Sequence, residues 1–152
     1  MTWFYEDKPI EKIEDIPVEK AIGFIYIITQ LSTGKKYLGK KLLTKSSRKT
    51  INGKTKKIRT ESDWKTYWSS SPELKQLVRE IGTQDFKREI IAFVFSKSEL
   101  MYAEEFALYY TNALLDEAYF NGNIRSRIQR KWFEKNSHIV KENIQKIREK
   151  LK

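Results

Sequence analysis

The run Ile22–Thr29 (IGFIYIIT) is unbroken, β-branched and aromatic, and of strand length. Ser32-Thr33-Gly34 supplies turn chemistry before a second short run, Lys36-Tyr37-Leu38-Gly39, so the two predict a β-hairpin. From Thr44 to Thr60 the chain turns polar and basic around Asn52-Gly53, which predicts a loop or a mobile hairpin. Ser71 before Pro72 reads as a helix cap followed by a first-turn proline. Leu74, Leu77, Val78 and Ile81 then recur at helical spacing until Gly82 stops them. Phe86–Phe95 (FKREIIAFVF) opens mixed and closes apolar, the pattern of a third strand partly buried on both faces. Ser96-Lys97-Ser98-Glu99 is a capping box, predicting a helix from about Glu99 to Leu115. After the turn-like stretch Asp116–Asn123, Val140, Ile144, Ile147 and Leu151 fall on one helical face and predict a terminal amphipathic helix. The order β-β-α-β-α makes a compact α+β domain the expected class.

Charge adds a partner to this picture. The 152 residues suffice for one ordinary core, and 30 Lys and Arg against 20 Asp and Glu give a net charge of +10. The excess sits in two blocks: residues 23–59 hold 11 bases and no acid, and residues 125–152 hold 10 bases and 3 acids. Such concentration is the footprint of a polyanion-binding surface, with a merely solvated loop or tail as the competing reading. A membrane-surface helix fits less well, because the first block lacks a Leu/Trp/Phe face. With no Cys and the lone His138, a zinc site, a disulfide frame, a thiol nucleophile and a His-centred triad have no residues to draw on. Catalysis would fall to Tyr, Lys, Arg and carboxylates. The apolar maximum, Ala21–Leu31, is far shorter than the roughly 20 residues that span a bilayer. The opening Met1-Thr2-Trp3-Phe4-Tyr5-Glu6-Asp7 lacks the pattern of a secretory signal, so a cytoplasmic protein without membrane partners is expected.

Phe24-Ile25-Tyr26 and Tyr37-Leu38-Gly39, inside GFIYIITQLSTGKKYLGKK, resemble the paired G-I-Y and Y-I-G elements of the GIY-YIG nucleases, with Gly23 displaced by one and Leu replacing Ile. The stretch Trp64-Lys65-Thr66-Tyr67-Trp68-Ser69-Ser70-Ser71, then GTQDFKREI, a Glu-bearing helix and Tyr119-Phe120-Asn121 follow in the order of the phage Seg-like homing endonucleases of that family. The resemblance covers residues 22–124. It implies a small three-stranded antiparallel sheet flanked by helices, with residues 1–21 as an acidic, aromatic extension and 125–152 as a basic C-terminal helical segment. It further implies a metal-dependent endonuclease acting on double-stranded DNA, encoded by a phage or mobile element, with one Mg²⁺ or Mn²⁺ ion. The short C-terminal segment suggests limited sequence specificity. The rival reading is a catalytically inactive nucleic-acid-binding module on the same fold.

The family's metal-holding Glu belongs on the helix after the third strand, where Glu104 and Glu105 are adjacent. At 100° per residue, Leu100, Met101, Ala103, Ala107 and Leu108 define an apolar face that includes Glu104 and leaves Glu105 outside. An inward carboxylate needs a compensating cation, so Glu104 is the metal ligand, unless a hairpin lysine pairs with it instead. The resemblance implies that Tyr37 or Tyr26 positions or deprotonates the attacking water and that the other hydrogen-bonds the phosphate or its partner, with aromatic packing as the alternative for each. Either one acting as a base requires a depressed pKa, which Lys40, Lys41 and the metal would supply. The family's phosphate-clamping Arg, on its first helix, has no counterpart at the usual spacing. Arg48 is nearest, and Lys40 and Lys41 are the alternatives. Asn121 matches the family's late Asn, or serves only the turn. For DNA contact the candidates are Lys40, Lys54, Lys56, Lys57, Arg59, Trp64 and Lys65, with core packing competing for Trp64 and Tyr67.

Overall fold

The computed structural model describes residues 2–124 and 130–152, so the start of the expected basic C-terminal segment, residues 125–129, lies outside the described residues. In chain order the elements are β1 (Trp3–Tyr5), β2 (Lys8–Ile10), β3 (Gly23–Gln30), β4 (Lys36–Leu42), β5 (Thr44–Ile51), β6 (Lys54–Glu61), α1 (Pro72–Ile81), β7 (Phe86–Val94), α2 (Lys97–Tyr110) and α3 (Ser137–Lys150), with short 3-10 turns between them.

The hairpin predicted from the apolar run forms as β3 and β4, and β7 pairs antiparallel with the other side of β3. The sheet does not stop at three strands. β1 adds parallel to β7 and β2 antiparallel to β1, giving a mixed five-stranded sheet in the order β2-β1-β7-β3-β4. The chain reverses between them at Glu6 and Asp7, both with positive φ (50° and 62°), as a two-residue hairpin turn requires. Trp3, Tyr5 and Ile10 then bury beside β7, and the Trp3 indole donates to the Trp64 carbonyl at 2.8 Å. The first residues thus complete the sheet rather than extend from it.

Strand alternation sorts the core into two layers. Trp3, Phe24, Tyr26, Tyr37, Trp64, Leu74 and Phe93 fill one face of the sheet beneath α1. Ile25, Leu38, Ile91, Leu100, Ala103, Leu108 and Ile147 fill the other beneath α2 and α3. A bulge in β7 shifts the register between Ile25 and Tyr26. It leaves the Ile91 carbonyl to accept from Lys150 of α3 at 2.9 Å. Helix α2 begins at its predicted cap, with Ser96 Oγ accepting from the Glu99 N–H at 3.0 Å, and ends earlier than expected. Thr111 Oγ1 donates to the Ala107 carbonyl at 2.7 Å, and Asn112 turns to a φ of 53°, so the helix closes at Tyr110 instead of Leu115.

The segment Thr44–Thr60 is the hairpin alternative of the sequence reading. β5 and β6 form a separate two-stranded ribbon, closed by Asn52 and Gly53 with φ of 52° and 74°. Among the described residues no helix is long and apolar enough to cross a membrane.

Candidate active site

Strand β4 lies at the end of the sheet, and a short segment covers its outer edge. Lys36 donates its N–H to the Ala118 carbonyl at 2.8 Å and accepts from the Phe120 N–H at 2.7 Å. Asn121 continues that pairing with its side chain, its Oδ1 accepting from Leu38 N–H at 3.0 Å and its Nδ2 donating to Leu38 O at 2.7 Å. Both ends of the Asn121 amide are therefore engaged by the strand. It holds β4 in place and also lines the cavity described next, with one Oδ1 lone pair and one Nδ2 hydrogen beyond this pairing.

Around this edge the two faces of the sheet meet. From one face comes Tyr37, whose ring stacks on Tyr26 at 6.2 Å and whose hydroxyl lies 3.0 Å from Ser70 Oγ. From the other comes Lys40, which donates to Glu104 Oε1 of α2 at 2.7 Å. A cavity of about 150 Å³ opens between them, lined by Tyr37, Lys40, Ser70, Glu104, Asn121 and Asn123. The helical-face argument placed Glu104 inward, and its side chain is 18% exposed and reaches the sheet. The pairing with a hairpin lysine, weighed as the alternative to a metal, is present.

Tyr26 sits behind this cavity. It is 1% exposed, and its ring lies over Gly39 so closely that a Cβ there would overlap the hydroxyl. Glycine at this position of the Y-I-G element is thus a packing requirement. Burial, followed by the neighbouring Tyr67 and Tyr37, holds the Tyr26 hydroxyl well above the usual tyrosine pKa. Burial likewise raises Tyr37. The two lysines alone do not depress either tyrosine, because desolvation dominates and each lysine already has a carboxylate. Lys40 is on Glu104; Lys41 is on Asp63 at 2.5 Å and over the Tyr67 ring at 4.0 Å. The Lys41 contact holds the Asp63 carboxyl below the usual range.

Two further expectations change, those for Arg48 and Trp64. Arg48 is exposed on β5, on the separate ribbon, so it is not among the residues lining the cavity. Trp64 is fully buried, its indole donating to Glu61 Oε1 at 2.8 Å, and offers no face to a base. Lys65, beside it, is half exposed and pairs with Glu61 at 3.1 Å. Lys54, Lys56, Lys57 and Arg59 all stand exposed on β6.

Other residues enter that the sequence reading did not assign. Ser70, in the Trp64–Ser71 stretch, lies against the Tyr37 hydroxyl, and its neighbour Tyr67, already weighed as a packing residue, meets Tyr26 edge-on at 6.1 Å. Lys75 and Arg79, one helical turn apart on α1, line a second cavity with Asp63, Tyr67 and Ser69. Arg88 is buried between the Trp3 and Trp68 rings, 4.6 Å from each, and donates to the Tyr67 carbonyl at 2.9 Å. Desolvation lowers its pKa to about 10, and it anchors the loop carrying Tyr67 and Ser70. A charged residue within a mixed strand gave no sequence signal for that role.

For a divalent ion the cavity offers one carboxylate, Glu104, with hydroxyl and amide oxygens nearby. Among the described residues no group of three or more His, Cys, Asp or Glu side chains could cage a metal. A single carboxylate with open positions for water and phosphate suits Mg²⁺ or Mn²⁺, which keep several waters and share substrate oxygens. The residues present therefore fit such an ion, provided that Lys40 gives up its place on Glu104.

Residues 3–124 match the family model for the GIY-YIG domain of the endonuclease segE. Neither the curated proteins nor the solved structures yield a match.

Proposed function

The chain belongs to the segE-type GIY-YIG endonuclease domain family, and from that premise we propose that it is a metal-dependent endonuclease hydrolysing phosphodiester bonds of double-stranded DNA, encoded by a phage or similar mobile element. The observation that carries this reading is the cavity at the β4 edge, where Tyr37 and Ser70 face Glu104 and Lys40. The Tyr37 hydroxyl, raised in pKa and held beside Ser70, stays protonated at neutral pH and orients the attacking water by hydrogen bonding. Glu104 would hold the ion, which when bound supplies charge neutralisation at the scissile phosphate and leaving oxygen. Lys40, released from Glu104, turns to the phosphate, and Lys41, Lys75 and Arg79 take the flanking negative charge in place of the distant Arg48. Tyr26 supports the Tyr37 ring from behind, and Asn121 fixes the strand that carries it.

Incubating the protein with supercoiled plasmid, with Mg²⁺ or Mn²⁺ and separately with EDTA, tests the reading. Relaxed or linear product only with the metal supports it. The second reading, a silent DNA-binding module, is favoured by the Lys40–Glu104 pair and predicts retardation of the plasmid without cleavage under every condition.

A further inference from the structure

The ribbon β5–β6 carries seven cations, Lys45, Arg48, Lys49, Lys54, Lys56, Lys57 and Arg59, and no acid before Glu61 at its base. Its register sorts them. Residues directly opposite share a face, so Thr44, Ser46, Arg48 and Thr50 stand with Glu61, Arg59, Lys57 and Thr55. The other face holds Lys45, Ser47, Lys49 and Ile51 with Thr60, Ile58, Lys56 and Lys54. Both arginines thus lie among hydroxyls on one face, and four lysines lie on the other with two isoleucines.

Like charges meet directly across the strands at Arg48–Lys57 and Lys49–Lys56, an arrangement that costs stability. No ion pair involving these seven cations occurs among the described residues, and the ribbon is exposed except at Thr44 and Ile58, which are half-buried. Lysines on exposed edges do protect against strand addition, which accounts for the lysine face. It does not account for two guanidinium forks gathered with Ser and Thr on the other.

We propose that the ribbon is a groove-reading arm, its Arg48–Lys57–Arg59 face meeting base edges in the major groove of duplex DNA while its lysines reach the flanking phosphates. The proposal rests on the reading of DNA as the substrate. A B-form major groove, about 12 Å wide, admits a two-stranded ribbon, whereas the major groove of A-form RNA is too narrow for one. Eight residues per strand at roughly 3.4 Å each give a reach on the order of 27 Å, most of a helical turn. Arg suits bidentate contact with guanine, and Ser and Thr hydroxyls accept or donate to either base of a pair. The Asn52-Gly53 turn supplies the twist that follows the groove. The ribbon begins at Thr44, three residues after Lys41, so an arm lying in the groove delivers the adjoining backbone to the β4-edge cavity. It also means that the chain selects its sites, against the sequence-based expectation of limited specificity.

Selection of bound duplexes from a random-sequence DNA library, in EDTA so that nothing is cut, tests the arm. Wild type should enrich a G-containing motif. The double variant Arg48→Lys/Arg59→Lys keeps the charge and loses the forks, so its preference for that motif over random duplex should fall at least tenfold, with affinity for random duplex changed less than twofold. Replacing Lys45, Lys49, Lys54 and Lys56 by Gln should do the reverse, flattening the salt dependence by about two to four units of log–log slope while keeping the motif. Enrichment of the same motif by the arginine variant would overturn the proposal, and so would a wild type that binds duplex but enriches nothing. A wild type that binds no duplex would overturn the DNA reading itself, and the proposal with it.

Discussion

Three residues of chain separate Lys40 of the β4-edge cavity from Thr44, where the β5–β6 ribbon begins, and the two regions are built on opposite principles. At and beside the cavity charged and polar groups are partnered within the protein: Lys40 on Glu104, Lys41 on Asp63, the Tyr37 hydroxyl on Ser70. Along the ribbon like charges face each other, and none of the seven cations forms an ion pair among the described residues. A satisfied, half-buried network holds atoms in register, which chemistry needs. An exposed row of unpaired cations waits for an external anion, which binding needs. The division of labour is written in where the protein has left its charges unanswered.

The comparison breaks most sharply at Glu104. Glu104→Gln removes the only carboxylate that lines the cavity among the described residues and should lower plasmid cleavage by at least about a thousandfold, with duplex affinity unchanged, whereas Glu105→Gln should cleave normally. Equal losses in both variants would mean that the helix presents a different face to the sheet.

The tyrosines sharpen it next. Tyr37→Phe, at the cavity, should slow single-turnover cleavage by about a hundredfold with little change in melting temperature. Tyr26→Phe, behind it, should act mainly on stability, at roughly 1 kcal/mol, and less on rate. A larger rate loss for Tyr26→Phe would exchange their roles.

Much of this was readable from the residues, and what was not has physical reasons. The β3–β4 hairpin announced itself because IGFIYIIT is apolar on both faces of a central strand. Glu104 was legible because a helix period of 3.6 places it among Leu100, Ala103 and Leu108. β1 and β2 were illegible: three residues carry no period, and their partner, β7, is remote in sequence. The ribbon was legible only as one of two alternatives, loop or hairpin, since period-2 alternation vanishes when both faces are polar. Arg88 and Ser70 act through the backbone and through another side chain, and no local pattern encodes that.

Smaller effects separate the regions further. Replacing Lys54, Lys56, Lys57 and Arg59 together by Gln should flatten the salt dependence of duplex binding by about two to four units, with the melting temperature unmoved, because the strand is exposed. An unaltered slope would send the DNA path elsewhere. The cavity tyrosines respond instead to alkali. Their folded pKa values lie above the ordinary 10.0, so the stability they contribute is present below that pH and is lost as pH rises past it. Thermal melts should therefore fall off above pH 10 in wild type and less steeply in Tyr26→Phe; identical curves would show that other groups set the alkaline limit.

The central claim, that the cavity cuts and the ribbon holds, is tested most directly by single-turnover cleavage of plasmid at rising protein concentration in Mg²⁺, for wild type, Glu104→Gln and the four-residue ribbon variant. The account predicts that the ribbon variant needs more protein to reach half-saturation yet approaches the wild-type plateau, while Glu104→Gln stays flat at every concentration. A ribbon variant with a collapsed plateau and unshifted half-saturation, or a Glu104→Gln rescued by concentration, would contradict it.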